Sequence, residues 1–249
     1  MNVYEIIATH RSGHHSMMNW LIYNISGFQC TWDYKMNIIG GNGLYQLNCA
    51  NHDIPMAIDL YNEFKGQYKE LMISYEDTHW DYTIFNESNN FSGKLSLNFK
   101  GEDVGNYKRI VFIRNFYSNL ASRLKSNENK SFKTFEGKKV VLFDVTENFI
   151  WRWKNNARAC LNNKVNYLRF EDWLNEPEIR KRFLNEVTGL NEIYDNQGII
   201  GTTSSFGDIK NVANRDKEMN IPEEIKDLIR KDNELHYLIG ALGYEYKEI

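Results

Sequence analysis

Arg11, Ser12, Gly13, His14, His15 and Ser16 follow one another without interruption and combine a permanent cation, two hydroxyls, two imidazoles and a glycine. The chemistry these residue types support is capture of an anion. Glycine lets the backbone turn sharply, and where a helix starts directly after it, the first amides point outward toward negative charge. The phosphate loop of nucleotide hydrolases sets Lys and then Ser or Thr straight after its last glycine, the hydroxyl holding magnesium. Here His14 and His15 take those places and the cation, Arg11, precedes the glycine. The pattern therefore points to an anionic ligand bound without an obligatory metal.

Two other places carry chemistry. In "VFIRNFYSNLASRLK", Arg114 is the first charged residue after an apolar run, and Ser122 follows eight positions later. An arginine there can simply pair with a carboxylate, and a serine within a helix is ordinary, so each alone says little. In "LMISYEDTHW", Glu76, Asp77 and His79 follow another apolar run. All three are ionisable groups of the types that serve as a general base, and the histidine, with an ordinary pKa near 6.5, can accept a proton at neutral pH.

The elements that must position these groups are readable from periodicity. Tyr4 to Ala8 is short, apolar and β-branched, as in a buried strand, whereas Met17, Met18, Leu21, Ile22 and Ile25 recur at helical spacing until Gly27. The hexapeptide is thus the loop of a strand-loop-helix unit. Residues 28–68 carry turn signals such as "GGNG", with a short helix expected around Ile58 to Phe64, and a strand is expected at Leu71 to Tyr75. Residues 86–106 suit either a hairpin or an exposed loop. "YKRIVFIRN" reads as a buried strand running into a helix with Leu120 and Leu124 on one face, and "KKVVLFDV" as a further short strand.

Later, "ENFIWRWKNNARACL" spaces Ile150, Trp153, Ala157, Cys160 and Leu161 as the core face of a helix. "VNYLRFEDW" supplies another strand, "PEIRKRFLNEV" a helix opened by Pro177, and "PEEIKDLIRKDNELHYLIGALGY" one long terminal helix from Pro222. Strands alternating with helices predict an α/β fold, one domain over residues 1–249 with a mainly parallel central sheet covered by helices on both faces. Ligands of such sheets sit at the carboxyl ends of the strands, where the loop after Thr9 and the turn at Arg114 both fall.

Composition narrows the function classes. With 42% hydrophobic residues the chain can bury a full core, and a formal charge of −3 gives no bias toward nucleic acid or anionic membrane. The N-terminal apolar segment is only a strand's length and lacks a basic leader, and no 18-residue apolar run occurs, so a soluble cytoplasmic protein is expected. Cys30, Cys49 and Cys160 have neither metal-ligand nor CxxC spacing, which predicts buried free thiols and no zinc.

Taken together, "RSGHH" and "RNFYSNLAS" resemble the two nucleotide-binding signatures of the sulfotransferases that use 3′-phosphoadenosine 5′-phosphosulfate (PAPS). That family has a Lys/Arg-Ser/Thr-Gly-Thr-Thr-like loop after its first strand. At the end of a later strand it has Arg-Asp/Asn-Pro, five further residues and Ser. The arginine-to-serine spacing is kept here; the threonines are His14 and His15, and the proline is Phe116. "YLRFEDW" is similar to the family's strand and acidic helix start, and "FGDIKN" to its late Gly-Asp-Trp-Lys-Asn stretch, without the family's preceding Arg-Lys-Gly.

The resemblance implies a P-loop-like phosphosulfate site and transfer of a sulfuryl group to a hydroxyl or amine of a small-molecule, carbohydrate or peptide acceptor, leaving adenosine 3′,5′-bisphosphate, with no metal. Ser12, Gly13, His14, His15 and Ser16 would cradle the 5′-phosphosulfate, and Arg11 would also stabilise charge on the leaving oxygen. Arg114, Ser122 and Arg123 would hold the 3′-phosphate, and Lys210 would be a further nucleotide ligand. His79, ahead of Glu76, would be the general base, with Asp33 and His52 as other groups able to reach the site. The competing classes are a nucleotide-dependent phosphotransferase and a non-catalytic nucleotide-binding protein.

Overall fold

The computed structural model describes residues 2–9, 12–26, 44–50, 70–76, 106–128, 133–135, 138–140, 147–195 and 221–248, and the architecture is stated for these. In chain order they form β1 (Asn2–Ala8), α1 (His14–Ser26), β2 (Leu44–Ala50), β3 (Glu70–Glu76), β4 (Asn106–Ile113), α2 (Phe116–Glu128), β5 (Lys133–Phe135), β6 (Lys138–Val140), α3 (Glu147–Leu161), β7 (Asn166–Arg169), α4 (Phe170–Asn175), α5 (Pro177–Thr188), α6 (Glu223–Lys231) and α7 (Asn233–Ala241).

Five strands make an α/β sheet in the order β2-β3-β1-β4-β7, every pairing parallel. Alternation along β1 divides the core. Val3 and Ile7 point to one face, with Val111 and Ile113, and are covered by Leu120 of α2, Trp153 of α3, Ile229 of α6 and Leu238 of α7. Tyr4, Ile6 and Ala8 point to the other face, with Ile110 and Phe112, under Met18 and Leu21 of α1, Trp173 of α4 and Phe183 of α5. Each such large apolar side chain, fully buried, contributes about 1.5–3 kcal/mol relative to exposure.

This two-sided covering fixes where the strand order reverses. The chain leaves β1 through α1 on one face toward β2, and leaves β4 through α2 and α3 on the opposite face toward β7. Loops from adjacent strands therefore part at the β1/β4 boundary, the topological switch point of a doubly wound sheet. Register levels the strand ends there: Ala8 lies beside Glu76 on one side and Phe112 on the other, and Ile113 beside Arg169.

Three expectations change. The long terminal helix is broken: Asp232 leaves the helical region at φ −93, ψ 82 and its side chain accepts from the Leu235 amide, capping α7. An aspartate that satisfies an open amide competes with helix continuation, while the apolar spacing runs on through the break. The turn-rich reading of residues 28–68 missed β2, an edge strand of the main sheet. The strand expected in "KKVVLFDV" forms at Lys138–Val140, but it pairs antiparallel to Lys133–Phe135 in a separate ribbon and not in the main sheet; the rest of that stretch lies outside the described residues. The helix expected at Ile58 to Phe64 lies outside the described residues, as does almost all of 86–106. Cys160 is a buried free thiol whose pKa burial pushes well up, and among the described residues no helix is long and apolar enough to cross a membrane.

Candidate anion-binding site

The strand-loop-helix unit expected at residues 4–25 forms, with β1 handing over to α1 through a tight turn. The Ser12 amide donates to the Thr9 carbonyl at 3.1 Å, and the Ser16 and Met17 amides donate to the Gly13 carbonyl at 3.1 and 3.4 Å, so Gly13 is the residue from which α1 departs. Gly13 has φ +83, and a Cβ built there would stand 2.4 Å from the ring of Phe170, so both conformation and space require glycine. Helix geometry directs the leading amides and the positive end of the macrodipole out of this turn. Ser12 and His14 are buried, with Ser12 Oγ and His14 Nδ1 3.4 Å apart and the rings of His14 and His15 in edge contact at 4.1 Å.

The turn after β4 is held at successive atoms. The Arg114 carbonyl accepts from Trp153 Nε1 at 2.9 Å, and the next amide, that of Asn115, donates to Glu171 Oε1 at 3.1 Å. Asn115 Oδ1 accepts from the Ser118 amide at 3.1 Å and so caps α2. The guanidinium of Arg114 lies 5.0 Å from the centroid of Phe170, the ring that also touches Gly13. On α2, Arg123 Nε donates to Asn119 Oδ1 at 3.2 Å and its guanidinium lies 4.4 Å from the Phe149 centroid. Asn119 Nδ2 in turn donates to Thr9 Oγ1 at 2.9 Å.

Phe170 and the Thr9–Asn119 bond thus join the two loops across the switch point. Arg114, Ser122 and Arg123 are 1%, 2% and 0% exposed, so two guanidiniums and a hydroxyl sit in a low-dielectric setting where charge interactions with an anion are strong. Phe116, where the resembling motif has proline, is the first residue of α2 and stacks on Phe149 at 5.4 Å, a core role that leaves the turn intact.

Of the residues singled out from sequence, Ser12, Gly13, His14, His15 and Ser16 lie at the start of α1, and Arg114, Ser122 and Arg123 on the adjoining β4–α2 unit. Glu76 ends β3 in register with Ala8, on the side of β1 away from Phe112. Arg11, Asp33, His52, Asp77, His79 and Lys210 lie outside the described residues. Sequence reasoning missed Thr9, Asn119 and Phe170, which tie the two loops together, and Glu171, which holds the turn after β4. Asn119 had a partial signal, its helical i,i+4 spacing to Arg123; its bond to Thr9 crosses 110 positions and had none.

No protein-family model matches the chain, and no curated protein matches it by sequence. Among solved structures the chain is similar to the crystal structure of mouse sulfotransferase SULT7A1 complexed with PAP, at 13% identity over 99% of this chain and 80% of that one, with a TM-score of 0.45. A likeness this distant bears on neither reaction nor ligand, and the α/β assignment rests on the sheet itself.

Proposed function

We propose that the chain is a sulfotransferase that moves the sulfuryl group of PAPS to a hydroxyl or amine of an acceptor. The observation that carries the reading is the junction of two loops at the β1/β4 switch point: the motif resembling a phosphosulfate loop and the motif resembling a 3′-phosphate anchor share Phe170 and the Thr9–Asn119 bond. The donor set suits the nucleotide. Arg114, Arg123 and Ser122 offer only donors or a hydroxyl to a dianionic 3′-phosphate, and guanidinium is well matched to phosphate oxygens. The turn through Ser12 and Gly13 into α1 offers amides to the 5′-phosphosulfate, a role that does not depend on the side chains in which His14 and His15 differ from threonine.

In the reaction the acceptor oxygen or nitrogen bonds to sulfur as the sulfur–oxygen bond to the 5′-phosphate breaks, releasing adenosine 3′,5′-bisphosphate. The acceptor's proton passes to a base, His79 or Glu76. Arg11 offsets the charge that grows on the leaving oxygen. Lys210 adds a nucleotide contact. The acceptor class is a small molecule, carbohydrate or peptide.

Calorimetry against adenosine 3′,5′-bisphosphate, 5′-AMP and ATP with magnesium tests this reading. The bisphosphate is expected to bind tightest. Arg114→Ala should weaken it roughly tenfold or more, because charge-assisted bonds to the 3′-phosphate contribute about 1.5–3 kcal/mol, with 5′-AMP little changed. Equal losses for both nucleotides reject the anchor, and a preference for magnesium-ATP points to phosphoryl transfer. Radiolabelled PAPS offered with acceptor pools should then show label transfer and acceptor-dependent bisphosphate release; a chain that binds but never transfers is a binding protein.

A further inference from the structure

The segment that follows α7 reaches back to the arginine turn. Gly243, at φ +77, closes α7: its amide donates to the Gly240 carbonyl at 2.9 Å and the Tyr244 amide to the Ile239 carbonyl at 3.0 Å, the paired bonds of a Schellman ending. A Cβ at Gly243 would stand 2.8 Å from Arg169 Nη1, and that nitrogen donates to the Leu242 carbonyl at 2.6 Å. The Arg169 guanidinium also lies 5.3 Å from the centroid of Tyr244. With the chain turned and the ring held, the Tyr244 hydroxyl donates to Glu171 Oε2 at 2.9 Å. Burial and the adjacent Glu171 carboxylate push this phenol well above its ordinary pKa, so the hydroxyl remains a donor.

Glu171 therefore has two engagements that face different parts of the fold. Oε2 takes the phenol of Tyr244, and Oε1 takes the Asn115 amide at 3.1 Å, the amide directly after Arg114. The other side of the Arg114–Asn115 peptide is held by Trp153. Phe170, beside Glu171 in the chain, lies beneath the Arg114 guanidinium. Orientation of that guanidinium thus depends on a backbone position that Glu171 sets, and Glu171 in turn is set by Tyr244.

We infer that Tyr244 is a positioning residue of the nucleotide site, fixing the Arg114 turn through the carboxylate of Glu171. The inference rests on the sulfotransferase reading, in which Arg114 meets the 3′-phosphate. A bidentate donor held loosely loses much of its value, because a misplacement of about half an ångström lies at the tolerance of a preorganised site. Removing the phenol hydroxyl should loosen the 3′-phosphate contact selectively, since the 5′-group is cradled by a different loop. A merely structural loss would weaken all ligands alike or lower only the melting temperature.

The test uses the full chain, with adenosine 3′,5′-bisphosphate and 5′-AMP titrated calorimetrically into the wild type, Tyr244→Phe, Glu171→Gln and the double variant, and with thermal melting of each. Tyr244→Phe keeps the ring against Arg169 and is expected to weaken the bisphosphate roughly threefold to tenfold while 5′-AMP stays within about twofold. Glu171→Gln should lose at least as much of the preference, and the double variant no more than Glu171→Gln alone, because both substitutions cut one path. A wild type that prefers the bisphosphate, with a Tyr244→Phe variant that keeps the full preference, overturns this inference alone. So do additive losses in the double variant. A wild type that does not discriminate between the nucleotides overturns the sulfotransferase reading, and the inference with it. Should Glu171→Gln fail to fold, the Tyr244→Phe affinity ratio still decides.

Discussion

At Gly13 the requirements of one residue reach two loops. Its φ of +83 belongs to the region that L side chains avoid, and the Phe170 ring occupies the place a Cβ would take, at 2.4 Å. Gly13→Ala must either turn the backbone or displace a ring that also lies beneath Arg114. The expected cost is roughly 1–3 kcal/mol of stability, readable as a lower urea midpoint with unchanged slope. If the chain binds the bisphosphate as proposed, that binding should weaken alongside, because the displaced ring touches both turns. An alanine variant with the wild-type midpoint would show that the close approach of ring and turn is not present in solution.

Between elements, the terminal helices are fastened to α3 by charge. Lys154 Nζ lies 2.7 Å from Asp232 and 2.9 Å from Glu234, and Arg158 holds Glu234 through Nε at 2.6 Å and Nη2 at 2.7 Å. These bonds, from Arg158 first and Lys154 second, hold the Glu234 carboxyl down at about 2. A carboxyl depressed by folding contributes stability above its ordinary value of 4.5, and that contribution is lost as pH falls toward 2. Glu234 is 43% exposed, so solvent screens the cluster and its contribution is about 1 kcal/mol or less. Glu234→Gln should therefore be less stable than the wild type at pH 7 in low salt, with the gap closing between about pH 4.5 and 2 and narrowing in 1 M salt. A gap of constant size from pH 7 to 2 would assign the loss to packing.

Across the whole molecule, sheet order decides where a base can stand. β3 lies beside β1, on the side away from β4, and its last residue, Glu76, is level with Ala8 at the end of β1. A strand placed at the sheet edge would deliver its C-terminal residues away from the switch point; β3 delivers them next to it. With donor and acceptor saturating, the true base among His79→Ala and Glu76→Gln should lose on the order of 10² to 10⁴ in turnover while bisphosphate binding survives. If both variants turn over normally, the β3 end is not the source of the base and Asp33 is the next group to replace.

The sequence by itself determined whatever depends on neighbours a few positions away. β1, α1, β4, α2 and α3 were legible because the apolar periods of strand and helix are local. The start of α1 after Gly13 was legible because a glycine separates an apolar strand from a run at helical spacing, and the Arg114-to-Ser122 interval because a strand end and two helical turns set it. Even so, local rules failed at Asp232, where the same apolar spacing suits one helix or two and a side-chain cap decided between them. They failed at β2, which pairs with β3 over Leu44–Ala50 directly after the turn signals of "GGNG". Tertiary structure alone decided that β3 lies beside β1, that Thr9 meets Asn119, that Phe170 lies beneath both Gly13 and Arg114, and that Tyr244 reaches Glu171 across 73 positions. These contacts form only once the apolar faces have collapsed onto both sides of the sheet. Which polar groups then meet depends on the register and direction of every packed element, a property of the assembled chain that no short window of residues contains.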